Sequence, residues 1–345
     1  MTVPRWIVLL MAPLWIAAAA GTTRAGYEIE VLQRIPLGVL PATGLYRSAC
    51  CPDGSCAILH NSGSVIVVDG EGTIRFNQTN VPEFTEATAC ACDAANRLWV
   101  GAAGLIKSFE LTPAGKPRLI QTFQASGAIH RILVTGDQIY VLGQARAAGA
   151  DVLLRRFRKA DGTFLGAVPL EAGRRPWSSF TELGDLRAQL LVNGSLVPFG
   201  DGLLYIPANP LELRRYGSQG QPVDTQRPLV RRFRSVDLDH FSSSNGPGVL
   251  AELDWVMNAL PLPDGKILVQ MLTRVPSSSP EAATEPEVYL ALFDSNLELL
   301  TEDIRLDPAT LPGSLAGIDR AGQLCFTEIV SGGTSWLLKA RLRQR

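Results

Sequence analysis

Apolar positions along this chain fall into short runs separated by small, turn-forming residues, and one hairpin recurs in different spellings. "CPDGSCAIL", "CDAANRLWV", "LPDGKILV" and "IDRAGQLCF" each set a tight turn before a β-rich run. Aligning the turns brings Gly54, Ala95, Gly136, Gly202, Gly265 and Gly322 into comparable places, with 41 residues separating each of the first three and longer intervals after them. The runs that follow are "CAILH", "RLWVG", "QIYVLG", "LLYIPA", "KILVQML" and "LCFTEIV". A third run comes next in each unit, from "SVIVVD" in the first to "SWLLKARL" in the last. In five units a second small turn and a fourth run complete the set, as in "DGEG" then "TIRFNQ".

Four short strands about every forty residues is the period of propeller blades. A lone blade cannot bury both of its faces, so blades stack radially around an axis. The sixth unit stops after its third run, at Arg345, while "YEIEVLQRIPL" near the other end belongs to no unit. The expected fold is all-β: a six-bladed β-propeller of four-stranded antiparallel blades, with the N-terminal strand joining the last blade to close the ring. The test of that closure is whether Tyr27–Ile35 lies beside Trp336–Leu342.

The "PDG", "ADG" and "RAG" turns followed by β-rich runs resemble the six-bladed propellers of the NHL and gluconolactonase-like superfamily, particularly exported bacterial members. The resemblance covers roughly residues 27–345 and implies the fold more than the activity, because this scaffold carries enzymes and plain binders alike. Enzymes of this kind present a metal to the central channel, through Glu, Asn and Asp in the gluconolactonase-like type or several His in the amidating-lyase type. This chain has only His60, His130 and His240, and no Glu at the matching offset of any unit. It departs from both patterns.

The turns within blades divide between two faces, and the insertions collect on one of them. Stretches at about 171–189 and 230–255 separate successive units, and about 273–287 interrupts the fifth. Long loops on one rim of a rigid scaffold are where recognition usually resides. The first two carry Arg174, Arg175 and Trp177, and Arg231, Arg232 and Arg234 beside Phe233. Arginine with aromatic side chains suits a carboxylate, a phosphate, a sugar or an acidic protein surface; solvated arginines around aromatic core caps are the competing reading. Counting back from the turns, the channel positions are Ser48, Ala89, His130, Ala259 and Ala316. A slip of one residue substitutes Thr88 and Asn258, and Asn193 is a looser candidate. His130 is the residue best suited to chemistry, as an acid–base group or a ligand.

Charge narrows the partners. With 32 basic and 33 acidic side chains the net charge is -1, which lacks the positive field that a nucleic-acid binder needs. Residues 1–25 read as a signal peptide: "MTVPR", then the apolar "WIVLLMAPLWIAAAA", then small residues before Gly26. A retained anchor is the competing reading of that segment, but Pro13 interrupts an apolar stretch short for a bilayer. Residues 26–345 are then one domain in the periplasm or outside the cell, without membrane attachment after cleavage.

In such a compartment cysteines form bridges. Cys51 and Cys56 flank "PDGS" and form one candidate pair, Cys50 with Cys90 or Cys92 an inter-blade one, and Cys325 reads as a buried thiol. Other connectivities stay open. No GxSxG elbow, P-loop or dinucleotide fingerprint is present.

The sequence therefore favours an exported, monomeric, non-enzymatic propeller without a cofactor, which binds a protein, a peptide or a small polar or anionic ligand on its loop-rich face. The alternative is a metal-dependent hydrolase or lyase of the gluconolactonase-like type, with His130 and Asn258 near a divalent cation in the channel.

Overall fold

The computed structural model describes residues 26–41, 43–112, 116–147, 150–170, 185–236, 253–274, 286–306 and 313–345. The segment 1–25, read as a signal peptide, lies outside the described residues. So do most of the three insertions and, with them, Arg174, Arg175 and Trp177. No helix among the described residues is long and apolar enough to cross a membrane.

Six antiparallel four-stranded sheets make six blades. Their innermost strands are, for blades 1 to 6, Tyr46–Cys50, Ala87–Cys92, Arg131–Thr135, Ser195–Phe199, Trp255–Pro261 and Ser314–Ile318. Each touches the next, and the sixth touches the first, so they encircle one axis. The outer strand of blade 6 is Tyr27–Val39, paired antiparallel with Thr334–Gln344; Ile29 faces Leu342 and Pro36 faces Trp336. The chain closes its ring by joining its two ends in one sheet.

Several turns share a mechanism. An aspartate side chain accepts hydrogen bonds from backbone N–H groups two and four residues on, as Asp93 does from Ala95 and Arg97 at 2.9 and 3.0 Å, and Asp294, in a later turn of its blade, from Asn296 and Glu298. In the "PDG" turns the aspartate stands two places later and takes only the N–H two residues on, Asp53 from Ser55 and Asp264 from Lys266. This Asx arrangement satisfies the donors that a tight turn leaves unpaired. The last turn residue takes positive φ, 85° at Gly54, 81° at Gly265 and 78° at Gly322. In "CDAAN" the residue that does so is Asn96, at 60°, a residue type that tolerates that region. This is why the second unit needs no glycine there.

Alternation along each strand sends one set of side chains toward the preceding blade and the other toward the following blade. Six apolar clusters result, one in each interface between adjacent blades. The cluster between blades 6 and 1 includes Ile35 and Leu37 from the closing strand, packed with Ile58, Ile66, Val68, Cys325 and Leu337. The stretch read as a plain link at 171–189 ends in a helix, Asp185–Val192, whose Ala188, Leu190, Leu191 and Val192 pack between blades 3 and 4.

Two disulfides form, Cys50–Cys56 within the first hairpin and Cys51–Cys92 between blades 1 and 2. One hairpin bridge and one inter-blade bridge were expected, but Cys50 and Cys51 exchange roles. Cys50 is the direct cross-strand partner of Cys56, so both side chains leave the same face of the sheet. That face looks back toward blade 6, where Cys50 packs beside Ala316 and Cys325. Cys51 alternates to the other face and meets blade 2. Cys325 is a buried thiol, as expected, and Cys90 is also free.

Candidate functional site

The two faces of the inner strands decide which side chains reach the channel. In blade 1, Ala49 packs against blade 2, so Arg47, two residues earlier, leans the same way. Its Nε donates to the Thr88 carbonyl of blade 2 at 2.6 Å and its Nη1 to the Tyr46 carbonyl at 3.1 Å. In blade 3, Leu133 packs toward blade 4, and Arg131, the first residue of that strand, shares its face. Arg131 Nε donates to the Gly194 carbonyl at 3.3 Å, at the entry to blade 4, and Nη2 to the Met257 carbonyl of blade 5 at 3.0 Å. A side chain that starts on blade 3 and bonds to blade 5 must pass in front of blade 4, through the channel. Both arginines sit at the starts of their strands, so they mark the mouth on the insertion-bearing face.

Cys90 of blade 2 lies within electrostatic reach of both guanidinium groups. Burial pushes its thiol up to about 12, while Arg47 and Arg131 pull the other way. Burial brings Arg131 down to about 10, helped by the positive charge of Arg47, and it lowers Arg47 as well. Burial, then Arg47, Arg131 and Arg155, hold His130 below the ordinary imidazole value, so it is neutral at pH 7. Arg47, Cys90, His130 and Arg131 are all partly water-accessible although they lie deep in the molecule. That combination is what residues lining a narrow internal channel show.

Neither Arg47 nor Arg131 forms an ion pair with a carboxylate among the described residues. Arg47 Nη2 and Arg131 Nη1 have no protein acceptor there, and neither atom is sealed from solvent. Arg155, by contrast, is sealed from solvent and holds one segment: both Nη atoms donate to carbonyls, those of Ala125, Ser126 and Ala128, while its buried Nε has no partner among the described residues.

The residues singled out from the sequence occupy two kinds of place. Ser48 Oγ lies 3.1 Å from Thr327 Oγ1 of blade 6, Thr88 Oγ1 donates to the Ile129 carbonyl of blade 3, and Asn258 Nδ2 donates to the Leu315 carbonyl of blade 6 at 2.6 Å. Each ties neighbouring blades together at their inner ends. Ala89, Ala259 and Ala316 are buried in inter-blade clusters. Asn193 Nδ2 donates to the Gln189 carbonyl at the end of the helix. His130 is at the mouth, and its backbone N–H continues the ladder to Leu142.

The arginines of the 230–236 link meet acids: the Arg231 backbone N–H donates to Glu302 at 2.5 Å while its largely exposed guanidinium lies 3.9 Å from the same carboxylate, Arg232 pairs with Asp303 at 3.2 Å and stacks over Tyr289, and Arg234 pairs with Asp254 at 3.5 Å. Phe233 is buried beside Val230 between blades 4 and 5. Arg47 and Arg131 were not singled out. The signal that could have found them is an arginine at the start of an otherwise apolar inner strand, in "YRSAC" and "HRILV".

The described residues of this mouth do not fit a divalent cation. His130 stands among guanidinium groups, and Asn258 has both amide atoms engaged, Oδ1 by the Ala259 N–H. Among the described residues, the one grouping of His, Cys, Asp or Glu side chains within metal-ligand reach is Cys50, Cys56 and Cys325, and two of those sulfurs form a disulfide.

This geometry defines a six-bladed β-propeller with a cationic channel mouth. No protein-family model matches the chain, and no curated protein matches it in sequence. Among solved structures it is similar to a candidate exported protein of Bacteroides fragilis, at 11% identity and a TM-score of 0.56, covering 92% of this chain and 96% of that one. It also matches virginiamycin B lyase from Staphylococcus aureus at 11% identity and TM-score 0.48, over 92% of this chain and 99% of that one. A gluconolactonase from Xanthomonas campestris matches at 12% identity and TM-score 0.47, over 90% and 98%. At such identities the likeness concerns the fold.

Proposed function

We propose that this protein is an exported binding propeller that takes a small polar ligand into the insertion-side mouth of its channel. The observation that carries the reading is the convergence of Arg47, Cys90 and Arg131 from three successive blades, with donor atoms that no protein group satisfies among the described residues. A rigid ring that aims free donors into its channel mouth is preorganised for a polar ligand. Export rests on the signal-like first 25 residues, on the two disulfides and on the likeness to a candidate exported protein. The electropositive mouth favours binding over metal-assisted hydrolysis, because two guanidinium groups repel a divalent cation.

Cys90 offers a direct test, since it lines the mouth while Cys325 is fully buried. Glucose, glycine betaine, choline, acetate, citrate and inorganic phosphate are titrated by calorimetry against the folded protein, before and after Cys90 is capped with a bulky maleimide. At least one should bind saturably and lose that binding on capping. Saturable binding that survives capping, or none from any of the six, overturns the reading.

A further inference from the structure

We infer that the mouth is an oxyanion site, in which Arg47 and Arg131 hold the carboxylate or phosphoryl group of a small molecule from opposite sides of the blade 2 strand. The inference rests on the channel mouth being the binding site and adds the chemical class of what enters it.

Buried cations in folded proteins are paired, because an unpaired charge away from water is costly. This chain meets that need in two ways. Arg214 is held by Glu212 and Lys159 by the buried Asp93, whereas Arg155 and Lys339 are held by backbone carbonyls alone among the described residues. Acids are not scarce, since they outnumber the basic residues by one. At the mouth Arg47 lies close enough to Arg131 to lower it, with no carboxylate between them among the described residues, and both, unlike the sealed Arg155, stay partly water-accessible. Their contacts are all to backbone carbonyls, which fix the planes of the groups without neutralising them.

What remains is a pair of positioned, positively charged forks, each with a terminal nitrogen free among the described residues. Arginine forks match the lone-pair geometry of carboxylate and phosphate oxygens, and charge-assisted bonds of this kind are the strong ones. A neutral sugar would leave the like-charge repulsion in place; a cation would add to it; an oxyanion removes it. The neutral His130 adds a polar group beside the pair without adding charge.

The experiment uses the folded protein with its native disulfides, at low ionic strength, with Cys90 as an internal reporter. Inorganic phosphate, acetate and citrate are the anionic probes, glucose the neutral one and choline the cationic one. Binding is read by calorimetry, and occupancy by the rate at which iodoacetamide alkylates Cys90. Anions should bind and slow Cys90 alkylation, and glucose and choline should do neither.

R47Q and R131Q should each weaken anion binding about ten- to a hundredfold, the loss of one charge-assisted contact. R118Q, which removes the same charge from an exposed outer strand, should leave it unchanged. Iodoacetate, itself an anion, should lose more of its alkylation rate than iodoacetamide in both mouth variants; because this ratio is internal, it reads the field at Cys90 even in a variant of reduced stability. Arg131→Lys, which keeps the charge and loses the fork, should fall between wild type and R131Q.

If glucose or choline occupies the mouth and protects Cys90 while the anions do not, the oxyanion class is wrong and the binding site stands. Anion binding undiminished in R131Q also overturns the inference, because the ion then sits elsewhere. If no probe of any charge protects Cys90 or binds, the binding reading itself fails.

Discussion

Closure of the ring by the first strand gives the sharpest stability test, because that strand supplies its own control. Leu32 and Leu37 both belong to Tyr27–Val39, and both sit at positions where the register to Thr334–Gln344 slips by one residue. A bulge re-aims the side chain it carries, and here the two outcomes differ. Leu32 is 42% exposed, whereas Leu37 is 2% exposed and packed between blades 6 and 1. Same residue type, same strand and same local irregularity leave burial as the variable.

Leu37→Ala removes a buried side chain and leaves a cavity in a seam built from two blades, a change that costs about 2–5 kcal/mol. Leu32→Ala at a half-solvated site costs less than about 1 kcal/mol. Against a total stability of about 5–15 kcal/mol, the first is a large fraction. With a urea slope of about 3 kcal/mol per molar, L37A should lower the midpoint by about 0.7–1.7 M, and L32A by less than about 0.3 M. The assay is equilibrium urea unfolding followed by tryptophan fluorescence. Should L37A shift the midpoint no further than L32A, the first strand does not hold the seam, and the assignment of the channel mouth falls with the closed ring.

Two other predictions concern bridges and pH. Replacing both Cys51 and Cys92 by Ser releases a separation of 41 residues and should cost about 4 kcal/mol, against about 2 kcal/mol for the Cys50/Cys56 pair, which spans 6; urea midpoints of the two double variants check the order, and equal losses would count against the inter-blade bridge. His130 is held below its unfolded value of 6.5 by burial and by Arg47, Arg131 and Arg155, so the unfolded chain takes up its proton first. Its contribution to stability is therefore constant above about pH 7 and is lost as pH falls through and below 6.5. H130Q should show a shallower decline between pH 7 and pH 5, and an unchanged slope would mean that the imidazole does not feel those charges.

The blades were legible because their signal is local. An aspartate that closes a turn through its own side chain, followed by an apolar run, is contained in about ten residues, and it repeats. The helix at Asp185–Val192 was not legible, since "DLRAQLLV" places its apolar residues without a single clear stripe and the docking surface between blades 3 and 4 is what selects the helix. The channel lining was legible only in part, for a geometric reason. Counting back from the turn assumes that every hairpin has the same length and every inner strand the same pleat. Cys50 pairs with Cys56 across five residues, but Thr135 pairs with Gln138 across two. Blades 2, 5 and 6 each carry a bulge near the mouth, at Thr88, Met257 and Ala316. A one-residue error turns a side chain to the opposite face, which is how the count reaches Ser48 and passes over Arg47, and reaches His130 and passes over Arg131.

Charge balance adds a second reason, and it bears on how such sites are found. By composition alone, the cluster Arg231, Arg232 and Arg234 is the stronger anion candidate, because three arginines stand together around Phe233. Folding brings Glu302 and Asp303 to the first two from about seventy residues away, and Asp254 to the third from twenty. A ligand at that rim competes with these acids for the guanidinium groups of Arg232 and Arg234. Arg47 and Arg131 are isolated in the sequence among apolar residues, where a lone arginine attracts no notice. Folding brings them toward each other and brings no acid with them among the described residues. The quantity that separates a structural arginine from one able to bind an anion is the balance of charge in its final surroundings, and contacts between distant parts of the chain set that balance. Local clustering of arginine thus ranks the two groups in the reverse of the order that their neutralisation gives.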